Sequence, residues 1–194
     1  MVKMLRELRA ELARKSIHIL IALIPFLAAI NLSNTVLLLM CGILFYTWAE
    51  SMRFLGFSLP FISPFTQSVL RKREQNRFAL GPVTLGLGAL LSLLAFPPNV
   101  SAAAIYALAF ADSAAGIVGR FLGRFRPAFL AGKSVEGSLA CFTVAFFAGF
   151  VVFRDWKIAI AVGLGSMLAD ALPIKDFDNL LLPLTAGLCA LAFL

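Results

Sequence analysis

Residues 100–123 read VSAAAIYALAFADSAAGIVGRFLG. From 100 to 118 the run is uncharged apart from Asp112 and mostly apolar, and its length approaches the roughly 20 helical residues that cross a hydrocarbon core. A carboxylate inside such a segment is too costly to be filler and marks a functional position. On a helix, Asp112, Gly116, Gly119 and Gly123 are four, three and four residues apart and share one face. That face has almost no side-chain bulk. Another backbone or a phosphate can approach it closely, with the Asp112 carboxylate at one end of the strip. A packed polar residue is the plainer alternative for Asp112.

Composition agrees with a membrane segment. The 194 residues are 61% hydrophobic and 14% charged, with mean hydropathy +0.94, outside the range of soluble domains. Cys41, Cys141 and Cys189 lie in apolar runs without CxxC spacing, which points to neither a disulfide framework nor a thiolate metal site. The net charge of +7 comes from residues in short connectors, a distribution that speaks for membrane topology and against nucleic-acid binding.

In chain order, residues 1–15 place Leu5, Leu8 and Leu12 among alternating charges, predicting an amphipathic surface helix. Seven crossings are expected: residues 16–30, 35–48, 78–96, 100–118, Val135–Phe153, 158–172 and 180–194. Residues 31–34 and 97–99 read as uncharged turns. Prolines 60 and 64 predict a loop with an interfacial helix within residues 50–77. Gly81, Gly86 and Gly88 are expected close-packing positions. The fold class is an all-α polytopic membrane helix bundle, read as a single domain over residues 1–194.

Five basic residues precede the first crossing, five follow the second, four follow the fourth and one follows the sixth, against only Arg154 and Lys157 on the other side. The positive-inside tendency puts the N-terminus in the cytoplasm and the C-terminus outside. One cytoplasmic face then collects His18, the cluster ending at Arg77, Asp112 to Glu136, and Asp170 to Asn179. Arg71, Arg73, Arg77, Arg120, Arg124, Arg126 and Lys133 would attract a highly negative ligand, whereas Asp112, Asp170 and Asp178 would repel it without a divalent cation. Phosphate, Mg²⁺ and carboxylates satisfy one another in that combination. On this view Asn at position 112 should stabilise the metal-free protein by relieving repulsion. Lys133 and Glu136 are three apart, and Ser134 is a candidate N-cap with Gly137 at the third helical position, a helix start suited to phosphate. Arg14 and His18 share a face at four-residue spacing, and His18 is the one histidine.

ARKSIH at 13–18, the stretch 112–123, GKSVEGS at 132–138, and Asp178-Asn179 followed by Pro183 resemble the dolichol kinase, phytol kinase and CTP-dependent diacylglycerol kinase family, which is related to the CDP-diglyceride synthetases. Asp170 stands where glutamate is commoner in that family. The resemblance implies transfer of the terminal phosphate of CTP to the hydroxyl of a polyprenol-like or other long-chain membrane lipid, with Mg²⁺, by an integral protein of the cytoplasmic membrane. Asp112, Asp178 and Asp170 would then serve the metal and Lys133 a phosphate. Glu136 would orient Lys133 or the hydroxyl, with His18 beside them. Arg77 and Arg120 would guide the triphosphate, with Gly116, Gly119, Gly123, Ser134, Gly137 and Asn179 completing the nucleotide site. Two other readings stay open: a phosphatidate cytidylyltransferase using the same CTP and Mg²⁺, and a small lipid or ion transporter.

Overall fold

A computed structural model describes residues 15–57, 78–127, 130, 132–172, 174 and 177–194. The expected amphipathic helix before Lys15 and the loop carrying Arg77 lie outside the described residues. Among the described residues there are seven helices and no strand: α1 (Lys15–Ile30), α2 (Leu32–Phe54), α3 (Gly81–Ala95), α4 (Pro98–Phe121), α5 (Val135–Phe153), α6 (Trp156–Ala171) and α7 (Asp178–Leu191). The bundle is the expected all-helical membrane architecture. Of the seven expected crossings, α2, α4 and α5 are long and apolar enough to span a membrane; α1, α3 and α7 are shorter apolar helices.

Several boundaries move, each for a local reason. The turn expected at 31–34 contracts to Asn31, whose side chain accepts from the Asn34 amide at 2.9 Å and lets α2 begin at Leu32. At its other end α2 runs past Trp48 to Phe54 because its polar residues satisfy one another. Glu50 is buried, and its carboxylate takes both Arg53 Nε (2.7 Å) and the Ala79 amide (2.8 Å) ahead of α3. Pro98 starts α4 instead of standing in the middle of a turn over 97–99, since a first-turn residue needs no amide hydrogen. The same helix continues to Phe121, so Gly119 and Arg120 are helical rather than part of the basic loop. Asp178 and Asn179 open α7 rather than closing a polar turn.

α4 is the centre of the bundle. Ala103, Ala104, Ile105, Ala107, Leu108, Ala109 and Ala111 are all fully enclosed, and their mostly small side chains let neighbouring helices approach. α5, α6 and α7 close around it with Cys141, Ala145, Val162, Leu182 and Ala186, while α1, α2 and α3 share a second core of Ile24, Leu39, Ala89 and Leu93. Gly88 is indeed a close-packing position: a Cβ there would lie 2.2 Å from the Asn179 carbonyl. Gly86 packs on Ile43 in the same way, whereas Gly81 faces open space.

Candidate active site

A π-helical turn at Ala107–Ala111 stands directly before Asp112. Such a turn carries one extra residue and rotates the helix face that follows it. Here the face carries Asp112, Ala115, Gly116 and Gly119, which line one cavity. Asp112 is 8% exposed and is held from α1: Lys15 Nζ donates to its Oδ2 at 2.6 Å and to its carbonyl at 2.9 Å, and His18 Nδ1 lies 3.0 Å from the same Oδ2. The pairing residue one turn from His18 is therefore Lys15, at i,i+3, while Arg14 is outside the described residues.

A second lysine is held in the same manner. Gly132 takes φ +91°, a left-handed conformation that favours glycine, and the Lys133 amide bonds the Leu130 carbonyl at 2.9 Å. This turn sends the Lys133 ammonium to Asp170 at the end of α6, where it donates to Oδ1 at 2.9 Å and also to the carbonyl. Lys133 is thus anchored by Asp170, and Glu136 takes another partner. Its Oε1 accepts from the amides of Arg124 (2.9 Å) and Phe125 (3.1 Å), tying the α4–α5 loop to the first turn of α5. Arg126 completes the stitching by donating to the carbonyls of Gly119 and Gly132.

Ser134 is the N-cap of α5, accepting from the Gly137 amide at 3.1 Å, as its position predicts. The glycine strip is spent partly on helix packing. A Cβ on Gly137 would sit 2.9 Å from the Ala115 carbonyl and 3.1 Å from Gly119 Cα; one on Gly123 would meet Ser134 Oγ at 2.4 Å. α4 and the start of α5 therefore lie backbone to backbone, and Gly123 supports the site from behind instead of lining it.

The resulting cavity is about 290 Å³. Lys15, Lys133, Arg120 and Arg126 bring cations to its wall, Asp112, Asp170 and Asp178 bring carboxylates, and Gly116, Gly119, Gly132 and Gly137 line it without side-chain bulk. Ser134, Ser138 and Ala115 complete it. The structure thus brings together most of the residues picked out by motif. Asn179 is placed elsewhere, buried against α3 with Nδ2 donating to the Gly81 carbonyl (3.2 Å) and Thr84 Oγ1 (3.4 Å). His18 touches Asp112 but does not line the cavity, and Arg77 is outside the described residues. Sequence reading passed over Lys15 as a partner of Asp112 and Ser138 as a lining residue. The signal for Lys15 was its i,i+3 spacing to His18 at the same helix entrance.

No group of three or more metal-ligating side chains gathers among the described residues, and Lys15 and Lys133 are paired with two of the three carboxylates. That excludes a closed protein cage from these residues. Mg²⁺ is more often held by one or two carboxylates with phosphate oxygens and water, and the donor set fits that mode. Asp112 accepts through Oδ2 and Asp178 through Oδ1, and both carboxylates line the cavity.

Comparison with known proteins finds a distant similarity. Over 136 residues, 61% of this chain and 62% of the relative, the chain is 25% identical to CTP-dependent diacylglycerol kinase 1 of Schizosaccharomyces pombe. The match spans about three-fifths of that protein's length. It supports the resemblance to the polyprenol and diacylglycerol kinase family and a lipid kinase at the family level. No family model matches the chain, and no solved structure matches it.

Proposed function

We propose, taking kinship with a CTP-dependent diacylglycerol kinase as the premise, that this chain is a membrane lipid kinase that moves the γ-phosphate of CTP to the hydroxyl of a long-chain lipid alcohol. The observation that carries this reading is the cavity itself: an ion-lined space of about 290 Å³ assembled by separate motifs within an otherwise apolar bundle. The acceptor is of the polyprenol, phytol or diacylglycerol class, and the relative's name makes diacylglycerol the first to test. Its site faces the cytoplasm, where the basic connectors gather.

Phosphoryl transfer needs positioning and neutralisation of charge more than covalent help. Lys133, anchored by Asp170, neutralises a phosphate of the chain, and Arg120 guides the triphosphate at the end of α4. Glu136 fixes the loop that presents Lys133. Asp112 and Asp178 would hold Mg²⁺, which when bound supplies charge neutralisation at the phosphate oxygens. His18, with Nδ1 3.0 Å from Asp112 Oδ2, positions that carboxylate, and the proton of the lipid hydroxyl passes to water at the mouth of the cavity. The lipid oxygen forms its bond to the γ-phosphorus, the bond from that phosphorus to the β-bridging oxygen breaks, and CDP leaves.

The test is product identity. Purified protein is given CTP labelled in the terminal phosphate, with diacylglycerol, phytol, a polyprenol and phosphatidate in turn. Labelled lipid phosphate with CDP is the expected result. CDP-lipid with pyrophosphate from phosphatidate would make the protein a cytidylyltransferase. Lipid or ion flux without CTP consumption would make it a transporter.

A further inference from the structure

The loop that leaves α4 carries side chains that the cavity does not use. Residues 120–126 read RFLGRFR, and Arg120 and Arg126 line the cavity whereas Arg124 does not. Phe121, Leu122 and Phe125 are 50%, 65% and 64% exposed, and Arg124 is exposed beside them. Among the described residues the Arg124 guanidinium makes no hydrogen bond or ion pair; only its backbone amide is engaged, by Glu136. Large apolar side chains crowded into so short a stretch and left uncovered differ from the singly scattered ones that any surface tolerates.

Their exposure is not that of a slack loop. Glu136 Oε1 holds the amides of Arg124 and Phe125, the Phe125 carbonyl accepts from the Val135 amide at 3.0 Å, and the Leu122 amide donates to the Val118 carbonyl at 2.8 Å. Arg126 ties the same backbone to the carbonyls of Gly119 and Gly132. Turning the apolar side chains inward would break these bonds, so the backbone itself holds them out. α4 is long and apolar enough to span a membrane, and the loop begins at its end, where hydrocarbon gives way to headgroups. Aromatic and leucine side chains interleaved with arginine suit that layer: the apolar bodies bury in the acyl boundary while guanidinium stays with phosphate.

We infer that residues 120–126 form a rigid interfacial platform, with Phe121, Leu122 and Phe125 in the acyl boundary of the cytoplasmic leaflet and Arg124 on the phosphate of an anionic lipid. The charge is complementary, because Arg124 is paired with no carboxylate among the described residues and that leaflet is the negatively charged one. Arg120 and Arg126, which flank the apolar residues, line the cavity. The platform therefore sets the cavity mouth at headgroup level, where the hydroxyl of a membrane lipid lies. It stands independently of the kinase reading.

Fluorescence quenching of the full chain in lipid vesicles tests this without turnover. Trp48 and Trp156, the two tryptophans, are 50% and 60% exposed, so both can become Phe without opening the core. In that background Phe125→Trp reports on the loop alone, and Leu122→Trp supplies a second position should the first variant fail to fold. Lipids brominated high on the acyl chain should quench either reporter, and aqueous iodide should quench it about fivefold less than it quenches free tryptophan, as expected for a side chain sunk below the headgroups. At equal mole fraction, brominated phosphatidylglycerol should be enriched about fivefold over brominated phosphatidylcholine beside the reporter, the scale of about 1 kcal/mol for one arginine at an anionic surface. Arg124→Gln should abolish that enrichment and leave the depth unchanged. Iodide quenching as complete as for free tryptophan would put the loop in water and overturn the inference. So would equal quenching by the two lipids with Arg124 in place, or an enrichment that Arg124→Gln leaves intact. Immersion and enrichment in a protein that forms no lipid phosphate from any alcohol would uphold the platform and overturn only the kinase reading.

Discussion

Lys15 and Lys133 each donate to the carbonyl and the carboxylate of one aspartate, yet their side chains are 8% and 33% exposed. The inner pair joins α1 to the middle helix of the bundle. The outer pair joins a loop to the end of α6. The same chemistry thus has different mechanical consequences. Removing one member of a buried pair strands the other charge and costs about 3–5 kcal/mol, whereas at the outer pair only the carboxylate is buried and the ammonium is partly exposed, so a stranded Asp170 can take up a proton and the cost is smaller. The inner pair should therefore couple the fold to the site, and the outer pair should serve the ligand with a smaller effect on the fold.

The largest effect should come from Asp112→Asn. Kinase activity should fall at least about 100-fold, equivalent to about 2.7 kcal/mol of barrier, and the protein should lose about 3–5 kcal/mol of stability because Lys15 stays charged and buried. This reverses the expectation that relieving repulsion among Asp112, Asp170 and Asp178 would stabilise the metal-free protein; Lys15 and Lys133 have already neutralised that repulsion. Adding Lys15→Met to Asp112→Asn should restore much of the stability and none of the activity. Melting in detergent together with lipid phosphorylation separates the two outcomes. An Asp112→Asn protein as stable as wild type would erase the distinction between the pairs.

Lys133→Met comes next. CTP turnover should fall by about one to two orders of magnitude, the scale of a lost charge-assisted contact of about 1.5–3 kcal/mol, while stability falls less than in Asp112→Asn because the buried Asp170 carboxyl can take up a proton once its lysine is gone. Unchanged turnover would reduce Lys133 to a topology residue. A stability loss as large as that of Asp112→Asn would show that the outer pair, too, holds the bundle together.

The contrast between the pairs also marks what the sequence could and could not reveal. Asp112 stood out because a carboxylate in an apolar run has a local cost, and Ser134 with Gly137 because an N-cap obeys a local spacing rule. The helices themselves were legible from runs of apolar residues, since each needs only its own segment to satisfy its backbone. Which lysine meets which aspartate was not legible: Lys15 and Asp112 are 97 residues apart, Lys133 and Asp170 are 37 apart, and both contacts exist only after α1, α4 and α6 have packed. The same limit applies to Asn179, whose motif pointed to nucleotide but whose amide braces α3. For Glu136, spacing to Lys133 was visible, but the left-handed Gly132 turn that sends the lysine to Asp170 was not.

Asp170→Asn should have the smallest effect and tests what the outer pair is for. As an anchor, Asp170 holds the Lys133 ammonium by a carboxylate oxygen and by its own carbonyl. Asparagine keeps the carbonyl, and its amide oxygen can still accept from the ammonium, so only the charge of the pair is lost. Lys133 should then be less firmly placed but still present. The expected result is a rise of about three- to tenfold in KM for CTP, with kcat little changed, because about 0.7–1.4 kcal/mol of binding is lost without removing the phosphate contact itself. As a metal ligand, Asp170 would behave differently. Loss of a carboxylate from the cation would raise the Mg²⁺ concentration needed for half-maximal activity by about tenfold or more and would lower kcat at ordinary Mg²⁺. The two roles therefore separate on a Mg²⁺ titration run at saturating CTP: an unmoved midpoint with a raised KM assigns Asp170 to Lys133, and a shifted midpoint assigns it to the metal and leaves Lys133 without its anchor's charge whenever the cation is bound.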